Sequence, residues 1–191
     1  MARAARRLSE QINLSRRPAL EGSETVMPWV TVRPSGPLSR LSLRAPEASV
    51  SALSKALGVT LPGKPKSSAE KAGRAVLWLG PDEWLVLDGA GNLASALQGV
   101  KQFHSAVDVS HRNVGIVVAG EGAEAALNAG CPGDLSLAAF PVGACSRTVL
   151  GKIEIVLWRK AEHEFHVECW RSFSDYAFAF LTEATRDAGQ P

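Results

Sequence analysis

The sequence predicts an α+β protein made of two diverged strand-helix-hairpin-helix repeats, and three observations lead there. Strand-like and helix-like segments alternate from about residue 36 onward. Two hairpin-like segments carry the same Val-Leu-Trp triplet, at 76–78 and 156–158, 80 residues apart. Each triplet follows a strand and a helix and precedes another helix, so RAPEASVSALSKAL before VLWLGPDEWLVL echoes AGEGAEAALNAG before VLWRKAEHEFHV.

Residues 1–35 read as a flexible basic arm. Its first 17 residues hold five arginines (Arg3, Arg6, Arg7, Arg16 and Arg17) against Glu10. Those 17 residues carry +4 of a net charge of +2, so residues 18–191 sum to −2. A body without excess positive charge is a poor phosphate-neutralising surface, which argues against nucleic acid as a partner. No apolar segment follows either arginine pair, so the arm lacks the form of an export signal. No apolar run reaches the ~20 residues needed to span a bilayer. The three cysteines, Cys131, Cys145 and Cys169, are odd in number and show no C-x-x-C spacing. That pattern fits a reducing cytoplasm better than a disulfide framework or a structural zinc site.

The folded domain is expected over 36–187, with halves at 38–98 and 104–187. Residues 38–44 (LSRLSLR) read as a strand. Pro46 then sits at a helix start, Val50, Leu53 and Leu57 recur at helical spacing, and Gly58 ends the helix. Residues 59–73 are a loop rich in Pro, Gly, Ser and Lys. The hairpin 77–88 (LWLGPDEWLVLD) is apolar on alternate and intervening positions alike, so both of its faces are expected to be covered. A short helix follows near 91–98, then strands at 104–110 and 114–119, and a helix over 121–129 closed by Gly130. A second hairpin spans 147–159 and 164–170, and its face bearing Glu164, His166 and Glu168 reads as solvated. The last helix is expected to start at Ser172, capped with Asp175, and to bury Phe173, Tyr176, Ala177, Phe180, Leu181 and Ala184.

No catalytic constellation emerges. Asp82 and Glu83 sit after Pro81 in an ordinary turn and point to opposite faces of an extended arm. Gly120, Gly122 and Ala125 match G-x-G-x-x-A between a strand and a helix, the form of a dinucleotide fingerprint. The second strand and terminal acid that the fingerprint requires are missing, since Asp134 lies in a loop. His163 and His166 face opposite ways and cannot chelate together. Cys145 and His111 have no local nucleophile motif around them. Arg112, Arg147 and Arg171 each fall at an element boundary, where structural pairing is the expected use. Trp78, Trp84, Arg112, Arg171 and Phe178 are the candidate interface residues, being the types that anchor protein contacts.

Four segments together resemble the gamma subunit of heterotetrameric sarcosine oxidase: LWLGPDEWLVL (77–87), DVSHR (108–112), GCPGDLSLAAFPVGACSRTVLGKIEIVLWR (130–159) and RSFSDYAFAFL (171–181). The resemblance covers roughly 36–187. It implies a fold similar to the folate-binding domain of aminomethyltransferases. It also implies membership of a complex that oxidatively demethylates sarcosine to glycine, with hydrogen peroxide and with formaldehyde captured on tetrahydrofolate. FAD, FMN, NAD, tetrahydrofolate and zinc are then carried by the alpha, beta and delta subunits, alpha being in direct contact with this chain. The resemblance supplies no catalytic, cofactor-binding or metal residues for this chain. The last helix departs from the pattern, with Phe178 and Phe180 where relatives commonly have tryptophan. Two other readings stand beside the subunit: a gamma subunit of a related N-methyl amino acid dehydrogenase, and a free-standing folate-binding protein of the aminomethyltransferase type. The free-standing protein would require further domains that 191 residues do not accommodate.

Overall fold

A computed structural model describes residues 18–89, 91 and 93–188. Eleven strands among these residues form two antiparallel sheets. The first half contains β3 (Ser39–Arg44), α1 (Glu47–Leu57), β4 (Ser68–Lys71), β5 (Arg74–Gly80), β6 (Glu83–Asp88) and α2 (Leu93–Leu97). The second contains β8 (Asn113–Ala119), α3 (Ala123–Asn128), β9 (Cys145–Leu150), β10 (Ile153–Ala161), β11 (Glu164–Trp170), a 3-10 turn (Arg171–Phe173) and α4 (Ser174–Asp187). Before each half runs a leading segment: β1 (Thr25–Met27) with β2 (Val30–Pro34), and β7 (Ser105–Asp108).

The strand orders match. One sheet runs β4-β5-β6-β3-β7 and the other β9-β10-β11-β8-β2-β1. Each leading strand joins the sheet of the opposite half: β2 pairs with β8, while β7 pairs with β3. The two sheets are thereby tied together by exchanged strands. The arm expected over 1–35 is consequently shorter than the sequence suggested. Residues 25–34 form β1 and β2, Val30 and Val32 are buried, and the Trp29 indole donates to the Thr185 carbonyl at 2.8 Å. Residues 1–17 of the expected arm lie outside the described residues.

Three apolar layers result. Leu41, Leu43, Val76, Trp84 and Val86 of the first sheet pack on Leu53 and Leu57 of α1 and Leu93 and Leu97 of α2. Ile116, Val118, Ile155, Leu157, Phe165 and Val167 of the second sheet pack on Leu127 of α3 and Ala177 and Leu181 of α4. Between the sheets, Ala75, Leu77, Leu85 and Leu87 meet Cys145 and Trp158. The doubly apolar hairpin is therefore covered by helices on one face and by the second sheet on the other.

The Val-Leu-Trp echo is out of register by one residue. Both hairpins carry a bulge before the turn, and their last pairs are Gly80 with Glu83 and Ala161 with Glu164, an offset of 81 rather than 80. A one-residue slip on a strand exchanges its faces. Trp78 packs on the helix side of its sheet, whereas Trp158 points between the sheets. The position corresponding to Trp78 holds Arg159, which lies 4.4 Å over the Phe165 ring just as Trp78 pairs across from Trp84.

Three local expectations need correction. Residues 68–71, placed in a loop, form the edge strand β4, whose Ser-Ala-Glu-Lys sequence has no apolar period to reveal it. The stretch expected as one arm over 147–159 is two strands separated by Gly151, whose φ of 58° makes the turn. The last helix begins after the 3-10 turn, without a capping box, and Ser174 donates its hydroxyl to the Arg171 carbonyl at 2.8 Å. The buried stripe keeps Ala177, Leu181 and Ala184 as expected and adds Ser174 and Thr185, while Phe173 and Tyr176 are exposed.

Candidate functional site

Burying charge is costly unless every charge is paired, so buried ionisable groups are the natural place to look for chemistry. The main such cluster lies between the sheets. Arg40 of β3 donates from Nε to Glu168 Oε2 of β11 at 2.7 Å, and His166 Nε2 donates to Glu168 Oε1 at 2.7 Å. All three side chains are buried. Burial works to raise the Glu168 carboxyl. The His166 hydrogen bond, together with the charges of His166 and Arg40, outweighs it and holds the group below its ordinary value. The face of Glu164, His166 and Glu168 is thus not solvated as the sequence suggested; its inner two members close an ion cluster across the sheets. Gly115, paired with Glu168, makes room for it: a Cβ there would lie 2.8 Å from Glu168 Oε1 and 2.4 Å from Ser35 Oγ.

A second buried cation is Arg159, which donates to Glu124 Oε2 at 3.0 Å, to the Glu162 carbonyl at 3.1 Å and to the Leu135 carbonyl. It pins the irregular segment after α3 to the tip of the second hairpin. Both clusters are turned inward on protein partners.

The sequence-level candidates for chemistry resolve similarly. Asp82 pairs with Arg44 at 2.9 Å and Glu83 with Arg147 at 2.7 Å, so the turn carboxylates hold the hairpin tip. At the glycine motif, Gly120 donates its N–H to His163 O at 2.8 Å and Gly122 donates to Trp29 O at 2.9 Å. A Cβ on Gly120 would lie 2.4 Å from Trp29 O. The amides and the space a pyrophosphate would take are filled by the protein's own backbone. Burial raises the Cys131 and Cys145 thiols to about 11 and that of Cys169 to about 12, far from a reactive thiolate. Cys145 Sγ sits 3.2 Å from Ser67 O, while His111 is exposed in the turn before β8. No group of three or more His, Cys, Asp or Glu placed to hold a metal ion occurs among the described residues. No described helix is long and apolar enough to cross a membrane.

The five candidate interface residues separate. Trp84 is 1% exposed and donates its indole N–H to Pro62 O at 2.8 Å, so it is core. Trp78 and Phe178 are half-buried against the two helix-side layers. Arg112 and Arg171 lie together on the surface, joined by Arg171 N–H donating to Arg112 O at 2.7 Å. Beside them stands a pair missed by the sequence reading: Trp170 and Phe173, 48% and 40% exposed, stacked at 6.1 Å and 17°. Helical spacing places Phe173 on the buried stripe, but it falls in the 3-10 turn and faces outward. Arg112 lies 5.7 Å over the Trp170 ring. This ridge borders a cleft of about 300 Å³ between the sheets, lined by Arg112, Asn113, Arg147, Glu154 and Trp170 among others.

Residues 43–187 match the model of the sarcosine oxidase gamma subunit family. The chain is 32% identical to the sarcosine oxidase subunit gamma of an Arthrobacter species, covering 98% of each chain. It is 33% identical to that of Corynebacterium sp. strain U-96, covering 81% of this chain and 78% of that one. Among solved structures, a chain of the heterotetrameric sarcosine oxidase from Corynebacterium sp. U-96, in complex with pyrrole 2-carboxylate, matches with a TM-score of 0.84 at 31% identity. That match covers 94% of this chain and 98% of the other. The glycine cleavage system aminomethyltransferase T of Bartonella henselae matches with a TM-score of 0.62 at 15% identity, covering 83% of this chain and 46% of that one, a likeness of fold.

Proposed function

The chain belongs to the sarcosine oxidase gamma subunit family, and from that premise we propose that it is the gamma subunit of a heterotetrameric sarcosine oxidase and contributes assembly rather than chemistry. The observation that carries this reading is the near-complete mutual coverage with one chain of such a tetramer. The inward pairing of Arg40, Glu168, His166 and Arg159 supports the second half of it, because each buried ionic side chain already holds a protein partner. Sarcosine is oxidatively demethylated by the complex, with FAD, FMN, NAD, tetrahydrofolate and zinc carried on the alpha, beta and delta subunits. The alpha subunit is the direct neighbour. The matching strand orders of the two sheets support descent of both halves from one unit of the aminomethyltransferase type.

Co-expression tests this. The four subunits together are expected to give a complex that oxidises sarcosine, and omitting this chain is expected to abolish or sharply reduce recovery of that complex. Full recovery of active complex without it would refute the assembly role.

A further inference from the structure

Resting on the reading that the chain is one subunit of a hetero-oligomer, we propose that the ridge of Arg112, Trp170 and Phe173 is the surface on which a partner subunit docks. Its complement is a carboxylate of that partner seated on Arg112, flanked by an apolar side chain against the two rings.

Charge selects this occupant. Around the cleft beside the ridge, Arg147 is committed to Glu83 at 2.7 Å and lies 3.7 Å from Glu154, and Arg40 is committed to Glu168. Arg112 differs. Among the described residues its side chain hydrogen-bonds only Asn113 Oδ1, at 3.3 Å, and no carboxylate pairs with it. With Nε on Asn113 and Cζ 5.7 Å over the Trp170 ring, the Nη1 and Nη2 end of the guanidinium remains to meet a carboxylate with two parallel hydrogen bonds.

The ridge is also held in place before any partner arrives. Arg112 N–H donates to Val109 O at 3.0 Å, and its carbonyl accepts from Arg171 N–H at 2.7 Å. Phe173 closes the 3-10 turn that starts α4, and Trp170 ends β11, which is bonded on both edges. A prearranged surface avoids much of the ordering cost of association. Exposed Trp and Phe beside Arg are the residues that carry most binding energy at protein interfaces. Among the described residues the most exposed large apolar side chain, Phe103 at 83%, lies elsewhere, just before β7, and serves as the control.

The test uses the complex assembled by co-expression, with native mass spectrometry and titration of separately purified partner. Arg112→Glu and the pair Trp170→Ser with Phe173→Ser are expected to weaken assembly by about tenfold or more. Phe103→Ser is expected to leave it unchanged. Thermal unfolding of each free variant checks that the chain still folds. A second measurement avoids that question: wild-type assembly should weaken with rising salt, and Arg112→Gln should flatten that dependence. Wild-type assembly matched by Arg112→Glu and by the double variant would overturn the surface, as would loss of assembly in Phe103→Ser alone. If the wild-type chain forms no complex at all, the subunit reading itself has failed and this proposal falls with it.

Discussion

Trp84 and Arg112 share the role that their residue types suggest but not the place. Both are typical contact anchors, but Trp84 lies on the helix side of β6 in a layer closed by α1 and α2, whereas Arg112 stands outside. Trp84→Ala is therefore expected to cost ~3–5 kcal/mol of stability in the free chain, read by denaturant unfolding. An unchanged midpoint would contradict its placement in the core. At Glu168 the buried cluster makes stability depend on pH. A carboxyl whose folded pKa lies below its ordinary 4.5 stabilises fully above that value and loses its contribution as pH falls through the lowered pKa. Wild-type melting temperature should thus fall as pH drops from about 5 to about 3. Glu168→Gln should lower it at neutral pH and make the acid decline shallower. Arg40→Ala leaves a buried carboxylate without one of its two partners and is expected to cost ~3–5 kcal/mol. This cluster was not legible in the sequence, because Arg40 and Glu168 are 128 positions apart and strand alternation says nothing about what faces a strand.

Elements were legible where local signals agree. Pro46, Leu53, Leu57 and Gly58 mark α1 at both ends and along its buried face, and the structure has it at Glu47–Leu57. Where pairing is distant, the signal fails. β1 and β2 are three and five residues long, and β2 gains its place only by pairing with β8, some eighty positions downstream. On α4 the expected stripe holds at Ala177, Leu181 and Ala184, with Phe180 partly buried, while Phe173 in the 3-10 turn and Tyr176 face outward. The Val-Leu-Trp echo pointed to matching topology with the wrong register. The glycines between β8 and α3 exist for close approach: Gly120 has a φ of 123° and its α-carbon faces the Trp29 carbonyl. Gly120→Ala is expected to destabilise by ~2 kcal/mol or more through strain and collision. Circular dichroism melts would check it; a variant as stable as wild type would mean that the β2 turn does not pack there.

Across the molecule, exchanged leading strands bind two sheets into one body whose buried charges are paired internally, with only Arg40 Nη2 and Arg159 Nε left over among the described ionic side chains, and whose aromatic ridge is exposed. The free chain is accordingly expected to purify without stoichiometric flavin, nicotinamide or zinc, as judged by its absorbance spectrum and by metal analysis. Stoichiometric cofactor on the isolated chain would overturn that expectation. The most direct test of the subunit assignment is to tag this chain in its host, purify it under gentle conditions and weigh the product by native mass spectrometry. One copy of this chain is expected within a four-subunit assembly that produces hydrogen peroxide from sarcosine. A lone monomer, or an assembly of this chain with itself, recovered from cells that still oxidise sarcosine would contradict it.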